Sequence, residues 1–140
     1  MSNKFEILAE YIKDLSIETP NIETLLYVRN NIKSYQMNLD ITSKPLKNKM
    51  IEVYTKLIFE DKKSDTKKSF FEIIYATVIK INEDVKDKKE LEKIILCDVQ
   101  NKIYKKIEKI FFSLIKDSGY PEIKFEKEVD FDKLYNERLN

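Results

Sequence analysis

One run of the chain, residues 11–21 (Tyr-Ile-Lys-Asp-Leu-Ser-Ile-Glu-Thr-Pro-Asn), limits what the rest can fold into. Side chains of an extended segment alternate between two faces. Leu15 and Ile17 therefore share one side, and Asp14, Ser16 and Glu18 share the other. Pro20 has no amide hydrogen to give a ladder and holds Thr19 in extended geometry, so the chain leaves its sheet there. The connection that follows, residues 21–33, carries Ile22, Leu25, Leu26, Tyr27, Val28 and Ile32 with no period of two. It is too long for a hairpin and reads as a crossover, either a cover packed over the sheet edge or a wall of an apolar groove.

Ahead of this run, Phe5, Ile7 and Leu8, with Tyr11, fit either a helical turn or the start of the same strand, and the strand is preferred. After it, Tyr35, Met37, Leu39 and Ile41 alternate with Gln36, Asn38, Asp40 and Thr42, and Ile51, Val53, Thr55, Leu57 and Phe59 alternate with Glu52, Tyr54, Lys56, Ile58 and Glu60. This period marks half-buried antiparallel strands. A further strand over residues 69–81 is apolar on both sides, with Phe71, Ile73, Tyr75, Ile79 and Ile81 on one and Phe70, Ile74 and Val78 on the other. Polar connections at 44–49 and 61–67 join the three into a meander. Helices can cover one face of the last strand, and the other then requires a second subunit or a client. Glu72 interrupts that second face. It joins Asp14 and Glu18 if the first strand neighbours the fourth.

From Asp87 the period becomes helical: Leu91, Ile94, Ile95, Ile103, Ile107, Ile110, Phe111 and Leu114 recur at three and four residues, with lysines largely opposite. Asp98 and Asn101 are N-cap types and suggest a break near 97–101. Gly119, the single glycine, and Pro121 end the helix. Asp130 then caps a short helix with Phe131, Leu134, Tyr135 and Leu139 on one face.

At 140 residues the chain is read as one domain, 1–140. Its 26 basic and 25 acidic side chains nearly cancel, which argues against nucleic acid as a partner. One cysteine and no histidine remove a disulfide framework, the usual zinc ligand sets and histidine acid–base chemistry. Cys97 reads as a small buried hydrophobe. Asp14 and Glu18 could pair as catalytic carboxylates, but no base, glycine-rich loop or metal cluster accompanies them, and they read as an exposed acidic face. The lysine-rich helix is interleaved with Glu92 and Glu108, which weakens a phosphate-binding reading. No enzyme, cofactor or metal is expected. Without an apolar leader or a membrane-length run, no membrane insertion is expected and a cytoplasmic location is.

The order of these elements is recognisable. Residues 11–21 closely resemble the first-strand signature of the SecB preprotein-export chaperones, a Tyr-x-Lys-Asp-x-Ser-x-Glu-x-Pro-x run. Leu39-Asp40, Ile51-Glu-Val53, Phe70-Phe-Glu72, the Gly119-Tyr-Pro121 corner and Asp130-Phe-Asp-Lys-Leu-Tyr135 fall in that family's order and at nearly its spacing. The resemblance covers essentially the whole chain.

It implies an α+β fold: a four-stranded antiparallel sheet with a long helix and a short C-terminal helix on one face, assembled as a homotetramer, a dimer of dimers. Asp14, Glu18, Phe70 and Glu72 match positions of the acidic face docked by the SecA motor. The crossover and final helix would flank a groove for unfolded preproteins, with Leu25, Leu26, Tyr27, Phe125 and Tyr135 as candidates by apolar character. Phe71, Ile73, Tyr75, Ile107, Ile110, Phe111 and Leu114 are candidates for the subunit interface. A holdase shifts the folding balance by binding unfolded chains, so it requires no catalytic group. Two alternatives stand beside an export chaperone: a SecB-like chaperone with another client, such as the antitoxin of a toxin–antitoxin pair, and a purely structural assembly module. The chain departs from the family in its near-neutral charge, in lacking a crossover tryptophan, and in reading Val99-Gln100 and Ala76-Thr77 where Cys-Pro and Gly-Gly are usual.

Overall fold

The computed structural model of the chain describes residues 4–62, 68–123 and 129–139. Four strands, β1 (Phe5–Glu18), β2 (Gln36–Pro45), β3 (Met50–Glu60) and β4 (Phe70–Ile81), form one antiparallel sheet in the order β1-β4-β3-β2. The meander is therefore as expected, and the first strand, whose neighbour the sequence left open, lies beside β4. β1 pairs with β4 so that Ser16 lies opposite Glu72, Glu18 opposite Phe70 and Asp14 opposite Ile74. The condition for Glu72 to join the acidic residues of β1 is met.

Strict alternation along β1 fails at two places. The register slips between Ile7 and Ala9 and again between Ile12 and Asp14, leaving Leu8 and Lys13 as extra residues. The second bulge flips the face. Tyr11, opposite Ala76, points outward with Asp14, while Ile12, opposite Tyr75, points inward with Leu15 and Ile17. A bulge leaves no compositional trace when its residue is an ordinary lysine.

Residues 21–33 form the crossover, and they hold a helix that the sequence reading did not assign. α1 (Ile22–Asn30) begins where the Asn21 side chain accepts a hydrogen bond from the Thr24 amide (2.9 Å), and a 3-10 turn (Ile32–Ser34) delivers the chain to β2. Thr24 and Val28, four residues apart, are its buried face. Because β1 and β2 are the two edges, α1 has to cross the end of the sheet. Just ahead of α1 the chain is tied down by a hydroxyl cluster: Thr19 and Ser69 both bond the Tyr120 hydroxyl.

The inward face of the sheet is covered by a helical layer, α2 (Lys88–Lys93) and α3 (Val99–Asp117). The suggested break near 97–101 is absent. Residues 94–98 make a widened π turn, and Asp98 has helical dihedrals and caps nothing. Gln100 settles the polar groups this leaves in the core: its amide donates to the Ile95 carbonyl (3.3 Å) and its carbonyl accepts from the Thr55 hydroxyl (3.0 Å). Phe59, Phe71, Ile73, Ile79, Ile103, Ile107, Phe111 and Ile115 are fully covered between sheet and helix, each contributing about 1.5–3 kcal/mol of transfer free energy. Tyr35, Phe59, Phe71 and Tyr120 stack through tilted and edge contacts at that core's crossover end.

Gly119 closes α3 at φ +108°, a region side-chain-bearing residues avoid, although a Cβ there would meet Leu25 only at an ordinary 3.6 Å. The glycine is required by the backbone, not by space. α4 (Phe131–Leu139) starts where Asp130 accepts from the Lys133 amide (3.1 Å). It docks through Phe131 on Tyr104, ring centres 5.1 Å apart, and through Asp132, which accepts from the Cys97 thiol.

Cys97 is buried, as a small hydrophobe should be. Burial first, and then the Asp132 carboxylate, push its thiol up to about 12. At pH 8 its thiolate fraction is about a thousandfold below that of an unfolded cysteine, so a disulfide reagent should label the native chain at least about a hundredfold more slowly than the urea-unfolded chain. Tyr75 is also pushed up to about 12, by burial and its bond to Glu10. Both groups lose protons first in the unfolded chain. Stability is therefore fully present below about pH 9 and falls as pH rises towards 12, which urea midpoints across that range would register.

Candidate functional site

Two surfaces stand out, one on each side of the sheet. On the outward side, β1 and β4 bring Asp14, Glu18, Phe70 and Glu72 together at the end nearest α1. Asp14 and Glu18 are exposed, and Phe70 is 42% exposed, high for a phenylalanine. Glu60, on the same face of β3, accepts from the Asn38 amide (2.8 Å) and extends the acidic area towards β2. All four positions chosen from the sequence thus occupy one continuous patch.

That patch has features sequence reasoning missed. Lys56 stands opposite Ile74 and reaches Glu72 at 3.2 Å, so one of its carboxylates is neutralised. Nearer the middle of the face, Glu52 accepts from both the Tyr11 and Tyr54 hydroxyls, and Lys13 lies 4.2 Å from the centre of the Tyr54 ring. These bonds, first Tyr11 and then Tyr54, hold the Glu52 carboxyl below its ordinary range, and the Tyr54 hydroxyl is pushed up to about 12 by its bond to Glu52. The alternation of β3 placed Glu52, Tyr54 and Lys56 on one face. Only the bulge at Lys13 brings Tyr11 and Lys13 over to meet them.

On the inward side, the helical layer leaves the β2 edge partly uncovered. Met37, Leu39 and Ile41 of β2, with Ile32, Leu96 and Phe112, are half-buried and lie against the core. α1 flanks one end of this strip and α4 its middle. Leu39, Ile41, Leu96, Phe131, Leu134 and Tyr135 line a cleft of about 190 Å³ there. On α1, Leu25 is packed beside Gly119, whereas Leu26 and Tyr27 are 51% and 39% exposed. Tyr135 is half-buried and donates to the Lys89 carbonyl (3.2 Å), which ties α4 to α2. Phe125 lies outside the described residues. The groove candidates therefore fall in two groups, one on α1 and one on α4, joined by the apolar side chains of β2.

The interface candidates need correction. Phe71, Ile73, Ile107 and Phe111 are fully covered within the single chain, and Tyr75 nearly so, because the long helix packs on the same face of β4 that carries them. They are core. Ile110 and Leu114 are only half-buried, on the side of α3 where Lys106 pairs with Glu10 of β1 (3.0 Å). Ile12 and Leu15, which point inward from β1, are exposed on that same side.

Comparison with known proteins agrees with this architecture. The sequence model of one family, described as preprotein translocase subunit SecB, matches residues 1–140. A Pelagibacter ubique protein carrying the protein-export SecB name is 52% identical over 140 residues, covering all of both chains. Protein-export protein SecB of Rhodopseudomonas palustris is 26% identical over 97% of this chain and 81% of its own length. Among solved structures, the SecB-like chaperone Rv1957 of Mycobacterium tuberculosis, in complex with a ChAD peptide from the HigA1 antitoxin, superposes with a TM-score of 0.63 at 10% identity, over 89% of this chain and 91% of that one. A four-stranded sheet with its first strand beside its fourth, a helix-bearing crossover and a whole-length family match lead to one conclusion: the chain belongs to the SecB family.

Proposed function

We propose that this chain is a holdase that captures unfolded preproteins in the cytoplasm and passes them to the SecA motor. The observation that carries this reading is the pairing, on opposite sides of one sheet, of an acidic outward patch with a partly open apolar strip. The strip, bounded by α1 and α4, is suited to extended chains. Apolar side chains and an open strand edge read disorder rather than a particular sequence, and such contacts need neither nucleotide nor catalytic residue. Replacing Leu26 and Tyr27 by Ser removes exposed apolar area and should leave stability within about 0.5 kcal/mol. Light scattering of a denatured client should then show weaker suppression of aggregation than with the parent chain. Equal suppression would remove α1 from the groove, and none by the parent chain would remove the holdase.

The outward patch is assigned to the motor. Charge there would orient a basic partner segment and speed its encounter more than it would add affinity. Asp14→Ala with Glu72→Ala removes two carboxylates and also frees Lys56 from its ion pair, so most of the patch's negative charge is lost. SecA affinity should fall about fivefold or more, mostly through the association rate. An unchanged affinity would favour a second reading, in which the same groove serves a non-export client such as an antitoxin. The neutralisation of Glu72 by Lys56 is the observation on that side.

Self-association is assigned to the β1 edge of the helical layer, where Ile12, Leu15, Ile110 and Leu114 leave apolar surface open, and repeated grooves on a tetramer would hold one long client through many weak contacts. Ile12→Asp, at an exposed position, and Ile110→Asp should each give smaller species in sedimentation velocity. If both variants keep the parent mass while folded, the interface lies elsewhere.

A further inference from the structure

We infer that a second cleft, at the end of the sheet opposite α1, binds polypeptide segments in which bulky apolar side chains stand beside carboxylates. The identity of such segments as clients rests on the holdase reading; the binding itself does not. The cleft encloses about 470 Å³ between the β2–β3 turn and the segment joining β4 to α2. That volume lies within the range of about 300–1,000 Å³ typical of ligand sites. Its floor is apolar, formed by Leu46, Met50, Ile51, Ile81, Val85 and Leu91.

The rim is basic. Lys49, Lys86 and Lys88 surround the floor, and Asp87 is the one carboxylate among the described lining residues. Asp87 is already committed, because its side chain accepts from the Lys89 amide (3.1 Å) and caps α2. On the hairpin side the sequence adds to this field, since residues 41–51 contain Lys44, Lys47 and Lys49 and no carboxylate, while in the joining segment Glu83 and Asp84 lie outside the lining. Glu52, the next acid, faces outward and is held by two tyrosines.

The walls are held in place without a ligand. The Ile81 amide donates to the Lys49 carbonyl (2.9 Å), the Leu46 amide to the Met50 carbonyl (2.8 Å) and the Val85 amide to the Asn82 carbonyl (3.1 Å). Asn48 and Lys49, with φ of 62° and 60°, make the left-handed turn that closes the β2–β3 hairpin at the cleft rim. Apolar side chains entering the floor would leave flanking carboxylates among three lysines, and basic segments would be repelled. The cleft thereby selects what the acidic outward patch rejects.

Fluorescence anisotropy tests this on the full chain. One labelled peptide carries Leu and Phe interspersed with Asp and Glu; a second has those acids replaced by Lys. The acidic peptide should bind saturably, and Lys49→Glu combined with Lys86→Glu and Lys88→Glu should weaken it by about tenfold or more, while the basic peptide binds the reversed rim more tightly than it binds the parent chain. These lysines are exposed. If the triple variant loses its native circular dichroism, Lys86→Glu alone should move binding in the same direction. Equal binding of the acidic peptide by parent and variant, or equal weakening of both peptides, would overturn the inference. So would capture of phosphatidylglycerol vesicles in place of the peptide. Failure of the holdase reading shows separately, as absent aggregation suppression with the acidic peptide still bound.

Discussion

The pairing of β1 with β4 is the contact on which the other features depend. It joins the first strand to the last, so the chain between them must travel from one edge of the sheet to the other before the meander can begin. That journey creates the need for a crossover at Pro20 and places α1 over the sheet end, where Thr19, Ser69 and Tyr120 share hydroxyl bonds. It also puts the acids of β1 beside Phe70 and Glu72. A sheet whose closing pair is also its most distant in sequence pays its loop entropy late, and its central strands must be apolar on both faces to compensate.

The second organising element is the asymmetry between the sheet's two sides. The inward side chains of β3 and β4 are consumed by α3. What remains for other molecules is peripheral: the outward patch, the β2 strip, the β1 edge and the cleft at the hairpin end. Each has a different balance of charge and apolar area. No two of these surfaces share the same side chains.

Most of the fold was legible because its signals are local and repeated. Alternation over Tyr35 to Phe59 specifies strands and faces, and Gly119 followed by Pro121 specifies a helix end. What escaped the sequence depended on context. Lys13 forms a bulge only because β4 lacks a matching residue, and its composition says nothing of that. The helix in residues 21–33 carried a signal, Asn21 ahead of Thr24 and Val28, but it competes with apolar residues on the other faces of a short segment. Asp98 and Asn101 suggested a cap, whereas Gln100 instead allows the helix to continue through its wide turn. The strand period put Asp14, Glu18, Phe70 and Glu72 on one face of the sheet, as the pairing of β1 with β4 has them. The interface candidates were misjudged where one apolar face could serve either core or partner, since burial within a chain and burial between chains demand the same side chains.

The two bulges of β1 bear on how an open sheet avoids uncontrolled pairing with other chains. An exposed edge strand of 14 residues would ordinarily invite any unfolded polypeptide to extend the sheet, and then another to extend that. Leu8 and Lys13 interrupt the spacing of the free backbone groups, so a visiting strand can stay in step over only a few residues between them. Growth along this edge is cut short by geometry, and an open sheet can meet unfolded chains repeatedly without becoming the seed of a fibre.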